Sequence, residues 1–281
     1  MLAVQLPPEL EFDWRSAADD ICSALRDYMA NVGARVAVLG LSGGVDSSVT
    51  AALAARALGR ANVRALILPE RGVTPPQDVE DARAVARSLG LDAREIEISP
   101  VLRSFRRLLT FLSEDEMSMA NLKARVRMAM LYALANHLGS AVVLGTGDKS
   151  ELLLGYFTKY GDGGVDLLPI GDLYKTQVRY LAWKLNLPER IWRKEPSPTL
   201  IKGLTAKDEL GAPYEVIDRV LYYRVEVRYP EEEVVRRLGL SAQLVRRICA
   251  RIYSSHHKRK PPPICKLGPA TINWDWRMPI E

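Results

Sequence analysis

The segment Val36-Ala37-Val38-Leu39-Gly40-Leu41-Ser42-Gly43-Gly44-Val45-Asp46-Ser47-Ser48 constrains the fold of this chain more than any other stretch. A short apolar run predicts a buried strand, paired glycines predict a tight turn, and the residues after them predict the start of a helix. Glycines at such a turn let backbone amides face an anion with no Cβ in the way. The helix behind them adds unpaired N–H groups and the positive end of its dipole. The segment therefore reads as a phosphate cradle, with Ser42, Ser47 and Ser48 as additional hydroxyl donors. It lacks the Gly-Lys-Ser/Thr of a P-loop, so the usual phosphate-binding lysine is missing and Asp46 stands in the centre instead. A carboxylate beside phosphates implies a divalent cation. Mg²⁺, which binds through one or two carboxylates plus phosphate oxygens, fits that arrangement. A ligand-free serine-glycine turn would not explain Gly-Gly followed by an acid and two serines.

Further apolar runs at 63–68, 93–98 and 141–145 follow the one at 35–41, each separated from the next by helical pattern. That alternation predicts a parallel α/β sheet flanked by helices. An amphipathic helix is expected at Ser16 to Asn31, a second opened by Pro75-Pro76 and closed by Gly90, and a third from about Met119 to Leu138 closed by Gly139. Residues 113–118 read as a polar hinge. Beyond residue 170 the pattern turns helical, with helices expected at 175–185, 213–226, 230–238 and 241–255 before an irregular tail that starts at Pro261-Pro262-Pro263. The expected organisation is one domain: an N-terminal helix in 1–34, an α/β core in 35–170 and a helical part in 171–281.

No apolar stretch approaches the roughly 18 residues of a membrane span, and the first eight residues lack the basic and apolar regions of a signal peptide. A cytoplasmic protein with no membrane role is the expectation. Cys22, Cys249 and Cys265 are too far apart for a zinc site or a disulfide framework. The net charge of +5 suits a protein that binds polyanionic nucleotides and does not by itself demand nucleic acid.

A second dense constellation runs Leu144-Gly145-Thr146-Gly147-Asp148-Lys149-Ser150-Glu151. It leaves a strand through glycines at the carboxyl end of the sheet, where ligands of open α/β folds bind. Thr146 would face nucleotide there, and Glu151, one helical turn further on, is placed as a second carboxylate for Mg²⁺. Next comes Gly155-Tyr156-Phe157-Thr158-Lys159-Tyr160-Gly161-Asp162-Gly163-Gly164-Val165-Asp166, a long glycine-rich loop of the kind that carries function in compact domains. Asn121 and Arg125 share a helix face with Met128 and Tyr132 by their spacing, which could equally be a solvated amphipathic surface.

The Ser-Gly-Gly-Val-Asp-Ser loop resembles that of the ATP pyrophosphatases, enzymes that split ATP between its α and β phosphates. Together with the 155–166 string, Pro169 and Lys175-Thr176-Gln177, it looks like the NAD⁺ synthetase family, and the resemblance extends from Val36 to His257-Lys258-Arg259. The fold this implies is Rossmann-like, of the adenine nucleotide alpha hydrolase type. The activity it implies is ATP-dependent amidation of deamido-NAD⁺ by ammonia through an acyl-adenylate. Matched residue by residue, Gly40 to Ser48, Thr146, Lys175 and Ser197 resemble ATP contacts, and Asp46 and Glu151 the magnesium ligands. Asn121, Arg125, Lys159, Asp166, His257 and Lys258 resemble contacts to deamido-NAD⁺, while Asp46, Lys175 and Asp166 would carry the chemistry. Ser197 lies in Lys194-Glu195-Pro196-Ser197, where Pro198-Thr199 departs from the Ala-Asp that often follows. The resemblance also implies a homodimer with the helix around Arg125 at the interface.

Two other functions remain open on the residues alone: a tRNA-modifying ATP pyrophosphatase and a nucleotide-binding module without turnover. The absence of a Cys-x-x-Cys weighs against the first, and two separated acids plus Lys175 weigh against the second. The segment ahead of residue 36 and the tail after Arg259 look too short for a glutamine-hydrolysing domain, so free ammonia is the expected nitrogen donor.

Overall fold

The computed structural model describes residues 4–111, 115–194, 206–272 and 275. Four parallel strands, β1 (Val36–Gly40), β2 (Val63–Ile67), β3 (Asp92–Glu95) and β4 (Ala141–Leu144), form one sheet in the order β3-β2-β1-β4. The register pairs Ala37 with Val63, Val36 with Ala141 and Arg64 with Asp92. β1 is central, and its side chains divide by the two-residue period of a strand. Ala37 and Leu39 join the main core, whereas Val38 packs with Val143 and Ala135 on the opposite face. The first face is covered by α1 (Trp14–Asn31), α2 (Val45–Leu58), α3 (Pro76–Leu89), α7 (Lys175–Lys184) and α8 (Glu189–Arg193), all of which contribute to that core. α5 (Glu116–Leu138) covers the other face, against β1 and β4. This is the parallel, doubly covered sheet that the alternating pattern predicted.

Boundaries shift where local chemistry intervenes. β3 ends at Glu95 rather than running to 98, because α4 (Ser99–Leu108) starts at Ser99-Pro100; Ile96 still donates to the Ile67 carbonyl at 2.9 Å. Of the expected hinge, residues 113 and 114 lie outside the described residues, and 116–118 are instead the first turn of α5. Asp115 caps that turn by accepting from the Ser118 N–H at 3.0 Å. α3 begins at Pro76 and stops at Gly90, whose φ of 64° places it in the left-handed region that glycine adopts without strain.

After β4 come α6 (Lys149–Leu154), α7 and α8. α9 (Ala206–Leu210), α10 (Tyr214–Leu221), α11 (Glu231–Leu238) and α12 (Ala242–Ser254) close the chain around a second core that includes Ile217, Val220, Val234, Val245 and Ile248. The helix expected over 213–226 runs from Tyr214 to Glu226, α-helical to Leu221 and π-helical beyond it. The stacked rings of Tyr223 and Tyr229, 5.7 Å apart, hold the chain as it reverses at Arg228 with φ 62°. No helix among the described residues is long and apolar enough to cross a membrane.

Candidate active site

The carboxyl ends of β1, β2 and β4 open into a cavity of about 660 Å³. At its floor the chain leaves β1 through Gly40 and enters α2 at Val45. Gly43 is required where it stands. Its φ is +80°, and a Cβ there would lie 2.1 Å from the Asp78 carbonyl oxygen, so α3 presses directly on the turn. The serines mainly brace this loop. Ser47 Oγ accepts from the Ser42 N–H at 3.2 Å, and Ser48 Oγ donates to the Gly44 carbonyl at 2.7 Å. Ser48 is fully buried, whereas Ser42 is exposed at the cavity.

Lys175, the first residue of α7, lines the same cavity and reaches the loop. Its ammonium lies 2.8 Å from Asp46 Oδ1, 2.9 Å from Asp148 Oδ2 and 2.7 Å from Glu151 Oε1. The Tyr214 ring, 5.4 Å away, covers a further side. Burial acts to lower the pKa of this lysine, but the carboxylates of Asp148, Asp46 and Glu151 overcome it and hold the ammonium well above its usual range. Burial also pushes Asp148 up to about 6 and raises Glu151 well above the usual carboxylate range, in each case against the pull of Lys175. Three acids around one base leave the cluster short of positive charge.

Asp148 was not singled out from the sequence. Its spacing ahead of Glu151 signals a helix cap, and it does cap α6, accepting from the Glu151 N–H at 2.8 Å. Its other oxygen on Lys175 could not be read from spacing. Asp148 is fully buried, whereas the Asp46 and Glu151 side chains keep 22% and 21% of their surface and face the cavity. Those two carboxylates match a Mg²⁺ ion that completes its shell with phosphate oxygens and water. Asp46 Oδ1 is buried against the Lys175 ammonium with no aligned hydrogen bond, so the ion pair balances its charge. No cluster of three or more His, Cys, Asp or Glu among the described residues forms a metal cage on its own, so phosphate oxygens would have to supply much of the coordination.

The other predicted positions separate into two groups. Thr146, Asn121 and Lys258 line the cavity with the loop and the acid cluster. Asn121 accepts from Thr158 Oγ1 at 2.8 Å, and Lys258 donates to the Gly155 and Phe157 carbonyls at 2.8 and 2.9 Å, so both also hold the glycine-rich loop in place. Arg125, Lys159, Asp166 and His257 do not line the cavity; Arg125, Lys159 and His257 are joined to one another beside it, and Asp166 is held separately. Arg125 reaches the Lys159 carbonyl at 3.4 Å, and Lys159 Nζ donates to the His257 carbonyl at 2.9 Å. Asp166 accepts from Tyr132 Oη at 2.8 Å and from the Val143 N–H at 2.7 Å. The shared helix face of Asn121, Arg125 and Tyr132 is thus laid against the 155–166 loop of the same chain. Ser197 lies outside the described residues. Arg127, which the sequence reading passed over, lines the cavity with its Nε 3.0 Å from the Leu68 carbonyl.

A lysine-free phosphate loop at the ends of parallel strands, faced by one lysine and a pair of accessible carboxylates, defines a nucleotide-binding α/β enzyme of the Rossmann-like adenine nucleotide alpha hydrolase fold. Within that class the chain belongs to the NAD synthase family, whose profile matches residues 17–262. It is 46% identical to the NH₃-dependent NAD⁺ synthetase of Saccharolobus solfataricus over 272 residues, 96% of either chain. It is 45% identical to that of Hyperthermus butylicus over 278 residues, 98% of this chain and 99% of the relative. Among solved structures it resembles the NH₃-dependent NAD synthetase of Campylobacter jejuni (TM-score 0.74, 33% identity, 91% of this chain and all of that one). It also resembles an NMN synthetase from Francisella tularensis (TM-score 0.79, 34% identity, 92% of this chain and all of that one).

Proposed function

We propose that this chain is a carbon–nitrogen ligase that uses ATP and ammonia to convert deamido-NAD⁺ to NAD⁺, releasing AMP and pyrophosphate. The observation that carries the reading is the Lys175 ammonium set against the phosphate loop at Asp46 and held there by Asp46, Asp148 and Glu151. In this reading the nicotinate carboxylate attacks the α-phosphate of ATP, and ammonia then displaces AMP from the acyl-adenylate. The backbone amides of the 40–48 loop and Lys175 offset the charge that builds on the phosphates. Mg²⁺, held by Asp46 and Glu151, would supply further charge neutralisation on the pyrophosphate leaving group. Lys258 and Asn121 hold the glycine-rich loop over the reacting groups, which restricts water near the adenylate. Asp166, with Arg125, Lys159 and His257, binds and orients the dinucleotide on the face beside the cavity.

The same reading takes the protein as a cytoplasmic homodimer that acts on small molecules, without nucleic acid or membrane. Exposed Leu108, Phe111 and Met117 at and ahead of the start of α5 support a partner there. Incubation with ATP, deamido-NAD⁺ and ammonium tests the function, with NAD⁺ and AMP expected in equal amounts. Nucleotide binding without turnover would mark a sensor module, and AMP formed only with transfer RNA would mark a tRNA-modifying enzyme.

A further inference from the structure

Lys175 and Glu151 sit at the starts of two different helices, and their relative position depends on how those starts are joined. The first two backbone N–H groups of α7 need acceptors, ordinarily supplied by a local capping side chain. Here they are satisfied from elsewhere in the fold. The Lys175 N–H donates to Ser150 Oγ at 2.9 Å, and the Thr176 N–H donates to Asp218 Oδ2 at 2.9 Å. Ser150 Oγ–H in turn donates to Asp218 Oδ1 at 2.6 Å. Ser150 precedes Glu151 on α6, while Asp218 belongs to α10 in the helical C-terminal part; both side chains are fully buried.

We propose that Asp218 is a positioning residue for the amidation. Its two carboxylate oxygens clamp the start of α7 to the start of α6 and so set the Lys175 ammonium against Asp46 and Glu151. This rests on the function proposed above. A carboxylate buried out of water is costly unless its oxygens are bonded, and here both bonds go to the backbone or hydroxyl next to a residue of the active site. The lysine has little freedom to compensate for a displaced helix start, since its side chain is 1% exposed and its ammonium already contacts three acids at 2.7 to 2.9 Å. Misplacement by about 1 Å costs on the order of 10²-fold when a group acts on reacting phosphates.

The test compares wild type, Asp218→Asn and Ser150→Ala as full-length purified chains. Folding is checked by circular dichroism, rates are measured with ATP, deamido-NAD⁺ and ammonium, and labelling of individual lysines by acetic anhydride is followed by mass spectrometry. Asp218→Asn should lower kcat roughly 10- to 100-fold and leave the KM for deamido-NAD⁺ within about twofold. Lys175 should become about tenfold or more faster to acetylate, on the scale expected when a clamped group is released. Lys123, buried in its own ion pair with Glu70 at 2.8 Å, should stay as protected as in wild type. Ser150→Ala, which removes only the bridging hydroxyl, should shift kcat and Lys175 labelling in the same direction, and it decides the question if Asp218→Asn fails to fold. Folded variants with wild-type kcat and a still protected Lys175, or with Lys123 released as much as Lys175, would overturn the proposal. Failure of wild type to form NAD⁺ would instead overturn the function on which it rests.

Discussion

Glu151 Oε1 lies 2.7 Å from Lys175 Nζ, joining the starts of α6 and α7 across the floor of the cavity. The pair makes one residue's charge depend on the other's position. Lys175→Met should leave Asp46, Asp148 and Glu151 facing one another with no cation. Breaking a buried pair from one side costs about 3–5 kcal/mol, so the variant should be strongly destabilised in urea denaturation as well as inactive. Unchanged stability would show that the acids are not held by this lysine.

Asp46→Asn and Glu151→Gln remove the two cavity-facing carboxylates while preserving their shape. Each should lower kcat by on the order of 10²-fold or more with the fold intact, if they hold Mg²⁺ against the departing pyrophosphate. Mg²⁺ titrations of the rate should show the midpoint moving to higher concentration. Near-normal turnover at low Mg²⁺ would remove that residue from the metal assignment.

Gly43→Ala tests the phosphate turn. The backbone there has φ +80°, and an added methyl would collide with the Asp78 carbonyl. Left-handed conformation alone costs a non-glycine residue about 1–2 kcal/mol, and the collision adds to it. The melting temperature should fall and the KM for ATP should rise. Loss of stability with an unaltered KM for ATP would separate the turn from nucleotide binding.

Burial pushes the Asp218 carboxyl up to about 7 from an ordinary value of 3.8. The native protein therefore holds this proton more tightly than the unfolded chain does. Its contribution to stability is complete below pH 3.8 and is lost as pH rises toward 7. Asp218→Asn should remove that component, so the dependence of unfolding free energy on pH between about 4 and 7 should become more positive by up to about 1.4 kcal/mol per unit. Denaturation curves at several pH values measure this, and identical slopes for the two proteins would contradict the shift.

Much of the fold was legible because its signals are local. The apolar runs, the glycine turn after Gly40 and the proline and glycine at the ends of α3 act within a few residues of where they stand. Asp46 and Glu151 were legible from the glycine turns that precede them and Lys175 through the resemblance, and the structure brings the three together. Residues 116–118 misled because acids ahead of a helix look like a linker, when Asp115 and Glu116 are its cap and first turn. Asp148 carried the signal of a helix cap and none of its contact with Lys175, and Asp218 carried no signal. Their roles depend on which helix start each one faces, and that is decided by packing between segments up to 68 residues apart.

The most direct test of the central claim is one stoichiometric assay with wild-type protein, ATP, deamido-NAD⁺, Mg²⁺ and ammonium, with and without glutamine in place of ammonium. The account predicts one AMP, one pyrophosphate and one NAD⁺ per turnover with ammonium, and none with glutamine once contaminating ammonia is removed. ADP and orthophosphate as the products, or AMP release uncoupled from NAD⁺, would contradict it.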